Sequence, residues 1–282
     1  MLTIGAIIDE IDHLKPIADI AGKVMRLLDD PDSGMADLYD IIRYEPALTA
    51  NVLKLANSAY FGLPGKVADV KQAVVYLGMT QVVDLVLVVS CSQALRGSHD
   101  GYGLARGDLW KCAVAGAIMA NDLTEIRGRT HSSLTFTGAL LRDIGKVVID
   151  QHVKSVAERI LERVHTQNID FMTAEQQVLG VDHAQVGAMV AEKWHLPNAL
   201  PCIIRYHHRP LEADGCFEAS AFVHLADFLC RKMGIGIGID DGGYVEDERV
   251  IQALGLDATQ VQAVMDGFQE KMARVAVLFS AG

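Results

Sequence analysis

Apolar residues recur along this chain at three- and four-residue spacing. From Pro16, the positions Ile17, Ile20, Ala21, Val24, Leu27 and Leu28 trace one stripe of an amphipathic helix that stops at "DDPDSG". A second helix over residues 35–44 ends before Glu45-Pro46, because proline disfavours helical geometry in the residue preceding it and suits the first turn of a new helix. "PALTANVLKLANSAYFG" supplies that new helix. Next come "KQAVVYLG" and "TQVVDLVLVVSCSQAL", separated by Gly78, with Thr80 read as a cap. The valines of the latter also fit a strand, but its length and its helical neighbours predict a buried helix. Asp108 is read as the cap of "LWKCAVAGAIMANDL", and further helices are predicted over 135–152, 153–165, 173–179, 182–195, 198–206, 218–233 and 257–279. Strand signals are few, so the fold class is all-α.

The glycine-rich polar stretch "RGSHDGYGLARGD", residues 96–108, marks a boundary between an N-terminal helical lobe, 1–98, and a second helical lobe, 99–282, with a C-terminal helical extension. "GIGIGIDDGG", residues 234–243, reads as a flexible loop. It lacks the preceding strand and the lysine-bearing signature of a phosphate cradle. No internal repeat or low-complexity tract stands out.

Composition narrows the partners. Half of the 282 residues are hydrophobic, enough for a substantial core and too many for disorder. With 36 acidic against 25 basic residues the net charge is -11, and no stretch gathers lysine and arginine into a basic footprint, so direct nucleic-acid binding is not expected. Five scattered cysteines, Cys91, Cys112, Cys202, Cys216 and Cys230, form no C-x-x-C pair and read as reduced thiols of a cytoplasmic protein. The most apolar run, "VVDLVLVVSC", is broken by Asp84 and too short to span a bilayer, and no signal-like N-terminus precedes it, so no membrane is expected.

Four features of the second lobe carry candidate chemistry: Asp143, His183, the pair His207-His208, and Asp227. They lie far apart in sequence, as in a site assembled from several helices. Imidazoles and carboxylates together suit a first-row transition metal. Each residue also reads as a helix cap or a solvated side chain. His224, one turn before Asp227, is either a further member or a partly buried helix histidine.

The segment "IIRYEPALTANVLKLANSAYFGLPGKVADVKQAVVYLGMTQVVDLVL" resembles the HDOD domain family of bacterial signalling proteins, through Glu45 to Thr49, "LANSAYFG" and the A-V-x-x-L-G turn ending at Gly78. The resemblance continues through "LLRDIGK", "DHAQVGAMVAEKWHLP" and "IIRYHH", over most of residues 10–230. It implies an N-terminal helical lobe packed on a degenerate lobe of the HD metal phosphohydrolase type. The HD pattern then falls on Cys112 where an early histidine is expected, on Arg142-Asp143 in place of the His-Asp doublet, and on His183, His207, His208 and Asp227. Two imidazoles are therefore missing. The G-Y-P signature of the cyclic di-GMP hydrolase subgroup is absent after His208, where the chain reads "RPLEADG".

Arginine at 142 changes the chemistry. A guanidinium has no lone pair to offer and repels a metal, yet its charge can stand in for one between Asp143 and Asp227. Adjacent helical positions point about 100° apart, so Arg142 can reach the opposite carboxylate; the alternative is that it faces solvent. Cys112 among alanines reads as a small apolar residue. The expected function is a non-catalytic signalling module that binds an unidentified signalling protein or a small ligand, with no cofactor. The alternative is a metal-dependent phosphohydrolase in which Asp143, His183, His207, His208 and Asp227 hold a single iron, manganese, nickel or zinc ion. A nucleotide sensor without turnover finds neither a phosphate loop nor a basic cluster. "LANSAYFGLP", with Asn57, Ser58, Tyr60, Phe61 and Pro64, is read as packing between lobes, or as a partner surface.

Overall fold

Helix punctuation follows local chemistry throughout the computed structural model, which describes residues 3–12, 14–30, 32–42, 45–63, 65–129, 132–241 and 247–275. The N-terminal helices are α1 (Ile4–Asp12), α2 (Lys15–Asp29), α3 (Met35–Ile42), α4 (Pro46–Ala56), α5 (Val70–Leu77) and α6 (Met79–Leu95). They are followed by α7 (Asp108–Ile126), α8 (Ser133–Leu141), α9 (Ile144–Gln167), α10 (Phe171–Leu179), α11 (His183–Lys193), α12 (Ala199–Tyr206), α13 (Phe217–Lys232), α14 (Glu248–Leu254) and α15 (Ala258–Val275). No strand occurs among the described residues, and the chain is all-α. Proline opens α4. Aspartate side chains cap α5, α10 and α11 through Asp69, Asp170 and Asp182, each accepting a backbone N–H three residues on.

The core is continuous from the first helix to the last. The valine-rich segment is helix α6, buried along most of its length, with α2, α4 and α5 packed against it and α7 and α8 beyond. Helix α7 is buried on nearly every face from Leu109 to Thr124, which its run "AVAGAIMA" permits because small side chains let α8 and α13 approach closely.

Several boundaries differ from the sequence reading. The helix expected over 135–152 is broken at Arg142-Asp143, and α9 then runs unbroken through 152–153, where two helices were expected to meet. The break lies at Asp143, whose φ of -102° and ψ of 11° leave helical geometry, and packing just past it is tight. A Cβ on Gly145 would stand 2.0 Å from the His183 carbonyl oxygen, so only glycine lets the start of α9 press against the start of α11. Thr80 is not a cap: α6 starts at Met79 after Gly78, whose φ of 83° is open to glycine. Asp108 is likewise inside α7, its carboxylate accepting the Ala105 N–H while Gly107 precedes it.

Helices α1 and α14 lay outside the sequence reading. In the 96–108 segment, read from the sequence as the boundary between lobes, a 3-10 turn at Asp100–Tyr102 packs on α9, with Tyr102 fully buried. The 234–241 stretch is not simply a flexible loop, since a 3-10 turn at Ile239–Asp241 buries Asp240; residues 242–243 lie outside the described residues, as do 276–279 of the expected last helix and Pro64. The reduced-thiol expectation fails for two cysteines. Cys202 on α12 and Cys216 before α13 form a disulfide, because the turn between the helices brings their Cα atoms to 6.2 Å; Cys91, Cys112 and Cys230 are free and buried. No described helix is long and apolar enough to cross a membrane.

Candidate functional site

The break between α8 and α9 puts Arg142 and Asp143 in a joint where both side chains turn inward. Arg142 is wholly buried. Its Nε donates to Asp227 Oδ1 at 2.8 Å and lies 3.3 Å from Asp143 Oδ2; Nη1 donates to the Ala139 carbonyl, and Nη2 to the carbonyl and sulfur of Cys112, at 3.2 and 2.9 Å. Space for this fork comes from α7, where a Cβ on Gly116 would stand 2.3 Å from Nη1. Asp143 precedes α9 but caps none of its amides, which leaves its carboxylate to the site.

Around this centre lie further charges that sequence reasoning did not assign. Lys146 Nζ sits 2.9 Å from Asp143 Oδ1 and 2.7 Å from Asp240 Oδ2. Arg231, one turn after Asp227 on α13, reaches Asp227 Oδ2 and Asp240 Oδ2, each at 3.2 Å. Burial alone would raise the Asp143 and Asp227 carboxyls, but Lys146 with Arg142 holds the first, and Arg231 with Arg142 the second, well below the usual carboxylate range. Both carboxylates are therefore ionised, and their countercharges are protein cations.

The histidines form the adjoining wall. His183, first residue of α11, gives its backbone N–H and ring Nδ1 to Glu175 Oε2 at 2.7 and 2.8 Å, while Glu175 Oε1 accepts the Tyr102 hydroxyl. Burial works against a charged His183, but Glu175 raises its pKa nonetheless. Its Nε2 is 2.9 Å from His208 Nε2 and 3.7 Å from Asp143 Oδ1. His207 Nδ1 donates to the Ile204 carbonyl, which leaves Nε2 as a buried lone pair with no hydrogen-bond partner. Burial pushes His207 down to about 3, and burial with the neighbouring imidazoles pushes His208 well below the ordinary histidine value, so both are neutral. His224 stands apart from the ring cluster: its Nδ1 donates to the His207 carbonyl and so braces the end of α12.

All seven predicted residues, Cys112, Arg142, Asp143, His183, His207, His208 and Asp227, thus come together around one centre. Two donor groups have atoms within 4.8 Å of one another: Cys112 with Asp143 and Asp227, and His183 with His207 and His208. The first does not fit a metal, because the Arg142 guanidinium stands among those three donors and uses them. The second retains one unused imidazole lone pair.

The HDOD domain matches residues 14–210. The chain belongs to the HDOD domain family. Among solved structures it is similar to an HDOD domain protein of unknown function from Geobacter sulfurreducens, at 25% identity over 93% of this chain and 92% of that one, with a TM-score of 0.75. It is also similar to a protein from Marinobacter aquaeolei VT8 provisionally named for signal transduction, at 26% identity and a TM-score of 0.73, over 96% of this chain and 61% of that one. A curated relative, an uncharacterized protein of Treponema pallidum (strain Nichols), is 27% identical over 226 residues, 78% of this chain; the chain spans 43% of that relative's length. Within the HDOD match lie Cys112, Arg142, Asp143, His183, His207 and His208, whereas Asp227, Arg231 and Asp240 come from the helices beyond it.

Of the residues missed, Lys146 and Arg231 carried a signal, since each follows a named aspartate at helical spacing, three and four residues on. Glu175, Tyr102 and Asp240 carried none, because only the fold brings them in.

Proposed function

We propose that this HDOD chain is a non-catalytic signalling module whose HD-type centre is held closed by the protein's own cations, and which acts by binding a signalling protein or a small ligand. The observation that carries this reading is the Arg142 guanidinium hydrogen-bonded to Asp227 and Cys112 and ion-paired with Asp143. A metal phosphohydrolase needs an ion that polarises a phosphoryl oxygen or generates hydroxide. Arg142 cannot generate hydroxide, since it stays protonated and offers no coordination position, and its Nε, Nη1 and Nη2 are already committed to Asp227, Ala139 and Cys112 rather than turned to a phosphoryl oxygen. The signal-transduction name of the Marinobacter relative points the same way.

The free His207 Nε2 favours one other reading, a single iron, manganese, nickel or zinc ion on His183, His207 and His208, of which the neutral His207 and His208 rings suit such an ion and His183 would have to give up its proton to join them. One experiment separates the two. Protein prepared without chelator is analysed for metals and then assayed for phosphodiester hydrolysis with added manganese or iron. Substoichiometric metal and no turnover are expected. Stoichiometric metal lost in His207→Ala, with turnover abolished by Asp143→Ala, would overturn the closed-centre reading.

A further inference from the structure

We propose that a cavity between α4 to α6 on one side and α7, α8 and α15 on the other binds a small organic cation: an amine or guanidinium carried on an apolar, preferably aromatic, body. The cavity encloses about 410 Å³, within the range of small-molecule sites. It lies across α7 from the Arg142 centre, because Val114, Ile118 and Asn121 face it while Cys112 and Gly116 face the guanidinium.

One end is apolar and aromatic, with Tyr60, Phe61 and Phe136 among its walls. The other end is rich in acceptors. Asp84, Asp122 and Glu125 line it against a single lysine, Lys271 from α15, which pairs with Asp122. The deciding feature is Asn121, 8% exposed and facing the cavity. Its Nδ2 donates to Glu125 Oε1 at 2.9 Å, and because a carboxylate only accepts, the amide orientation is fixed and Oδ1 is left buried without a donor. A buried acceptor without a donor is costly, and a ligand N–H would satisfy it.

Charge selects the class of ligand. Three carboxylates against one ammonium repel phosphates and carboxylates and attract a cation, whose approach the aromatic walls also favour. The same field is felt at Tyr60, where burial, then Asp122, Glu125 and Asp84, raise the phenol above its ordinary value and keep it neutral. A cation entering this end competes with Lys271 for Asp122, so occupancy is tied to the docking of α15 on α7.

The test is calorimetric titration of the full chain with 2-phenylethylammonium and benzylguanidinium, against neutral 2-phenylethanol and anionic 3-phenylpropionate. Saturable binding of a cation is expected, with the neutral and anionic analogues at least roughly tenfold weaker. Glu125→Gln, at an exposed side chain, should weaken the cation by roughly tenfold, and Lys271→Ala should strengthen it by removing the competitor. Asn121→Leu should weaken the amine and the alcohol alike by removing the acceptor both would donate to, while the carboxylates keep the preference for the cation. The proposal is overturned if the alcohol binds as well as the amine, if Glu125→Gln and Lys271→Ala both leave cation affinity unchanged, or if neither cation binds saturably up to about 10 mM.

Discussion

Replacing Arg142 by alanine removes the one charge that touches both site aspartates, and the expected cost can be worked from the distances. At 2.8 Å from Asp227 and 3.3 Å from Asp143, with an effective dielectric near 20, each contact has a Coulomb energy on the order of 5 kcal/mol. These values do not add. Arg231 still faces Asp227 at 3.2 Å and Lys146 still faces Asp143 at 2.9 Å, and the variant no longer desolvates a guanidinium. The net loss is therefore expected near the lower end of that for breaking a buried pair, about 3 kcal/mol, or roughly 5–10 °C in melting temperature.

The same reasoning fixes a pH dependence. In the folded protein Asp143 and Asp227 titrate below their unfolded values, so their contribution to stability is present above pH about 4 and is lost as pH falls through the lower folded values. Removing Arg142 lets both folded values rise, which forfeits part of that contribution at neutral pH. Protonation at low pH relieves the repulsion the variant has exposed. The gap between parent and Arg142→Ala should thus be widest at pH 7 and narrow toward pH 4. Urea denaturation followed by helical circular dichroism at the two pH values measures it. Equal stabilities at pH 7, or a gap that stays constant on acidification, would refute the guanidinium as the centre's countercharge.

Gly116→Ala should cost about 1–3 kcal/mol by pushing its methyl into Nη1, and clearly less in an Arg142→Ala background, a coupling that a double-mutant cycle reads directly. Arg142→His should raise metal affinity, measured by metal analysis after dialysis, by supplying an imidazole where a cation stood. Reducing Cys202–Cys216, which closes a loop with a sequence separation of 14 residues, should lower stability by about 3 kcal/mol in a thermal melt with and without dithiothreitol; an unchanged melt would mean the bridge constrains nothing. Glu175→Gln should lower the His183 pKa, followed by NMR titration. In the parent, the charged His183–Glu175 pair contributes fully below pH about 6.5 and is lost as pH rises through the raised folded value, so the variant's stability should vary less over that window.

What the chain reveals on reading follows the range of the physics involved. Helix content was legible because it rests on local spacing, and the valines of α6 did not mislead, since a run of that length flanked by helices has room for no strand. The break at Arg142-Asp143 was not legible, because no proline stands there to stop a helix, and the close packing just past it, the His183 carbonyl against Gly145, joins residues 38 positions apart. The aspartates and histidines were found because polar residues in apolar helices are conspicuous. Glu175 escaped because its neighbours in "MTAEQQVLG" look like an ordinary amphipathic turn. Asp240 escaped because glycines on both sides masked a buried turn as a loop, and the cystine because no spacing rule pairs Cys202 with Cys216.

The two polar sites flanking α7, the closed Arg142 centre and the Asn121 cavity, differ in a way that assigns them different roles. On the face of Cys112 and Gly116, the countercharge is covalently attached, fully buried and bonded to α7, α8 and α13 at once, which ties the three helices together. About half a turn round the same helix lie Asn121, with an acceptor still unpaired, and Asp122, held by a lysine whose side chain is 39% exposed. A buried charge network rigidifies what it touches, whereas a half-exposed ion pair beside an unpaired acceptor is readily exchanged for a better donor. A fixed centre on one face of α7 and an exchangeable contact on the other let the helix serve as a rigid reference, against which a ligand shifts only α15. Binding at the Asn121 cavity should therefore alter hydrogen exchange in residues 258–273 of α15 while leaving α8 and the start of α9 unchanged. A uniform change across all of these helices would contradict that division.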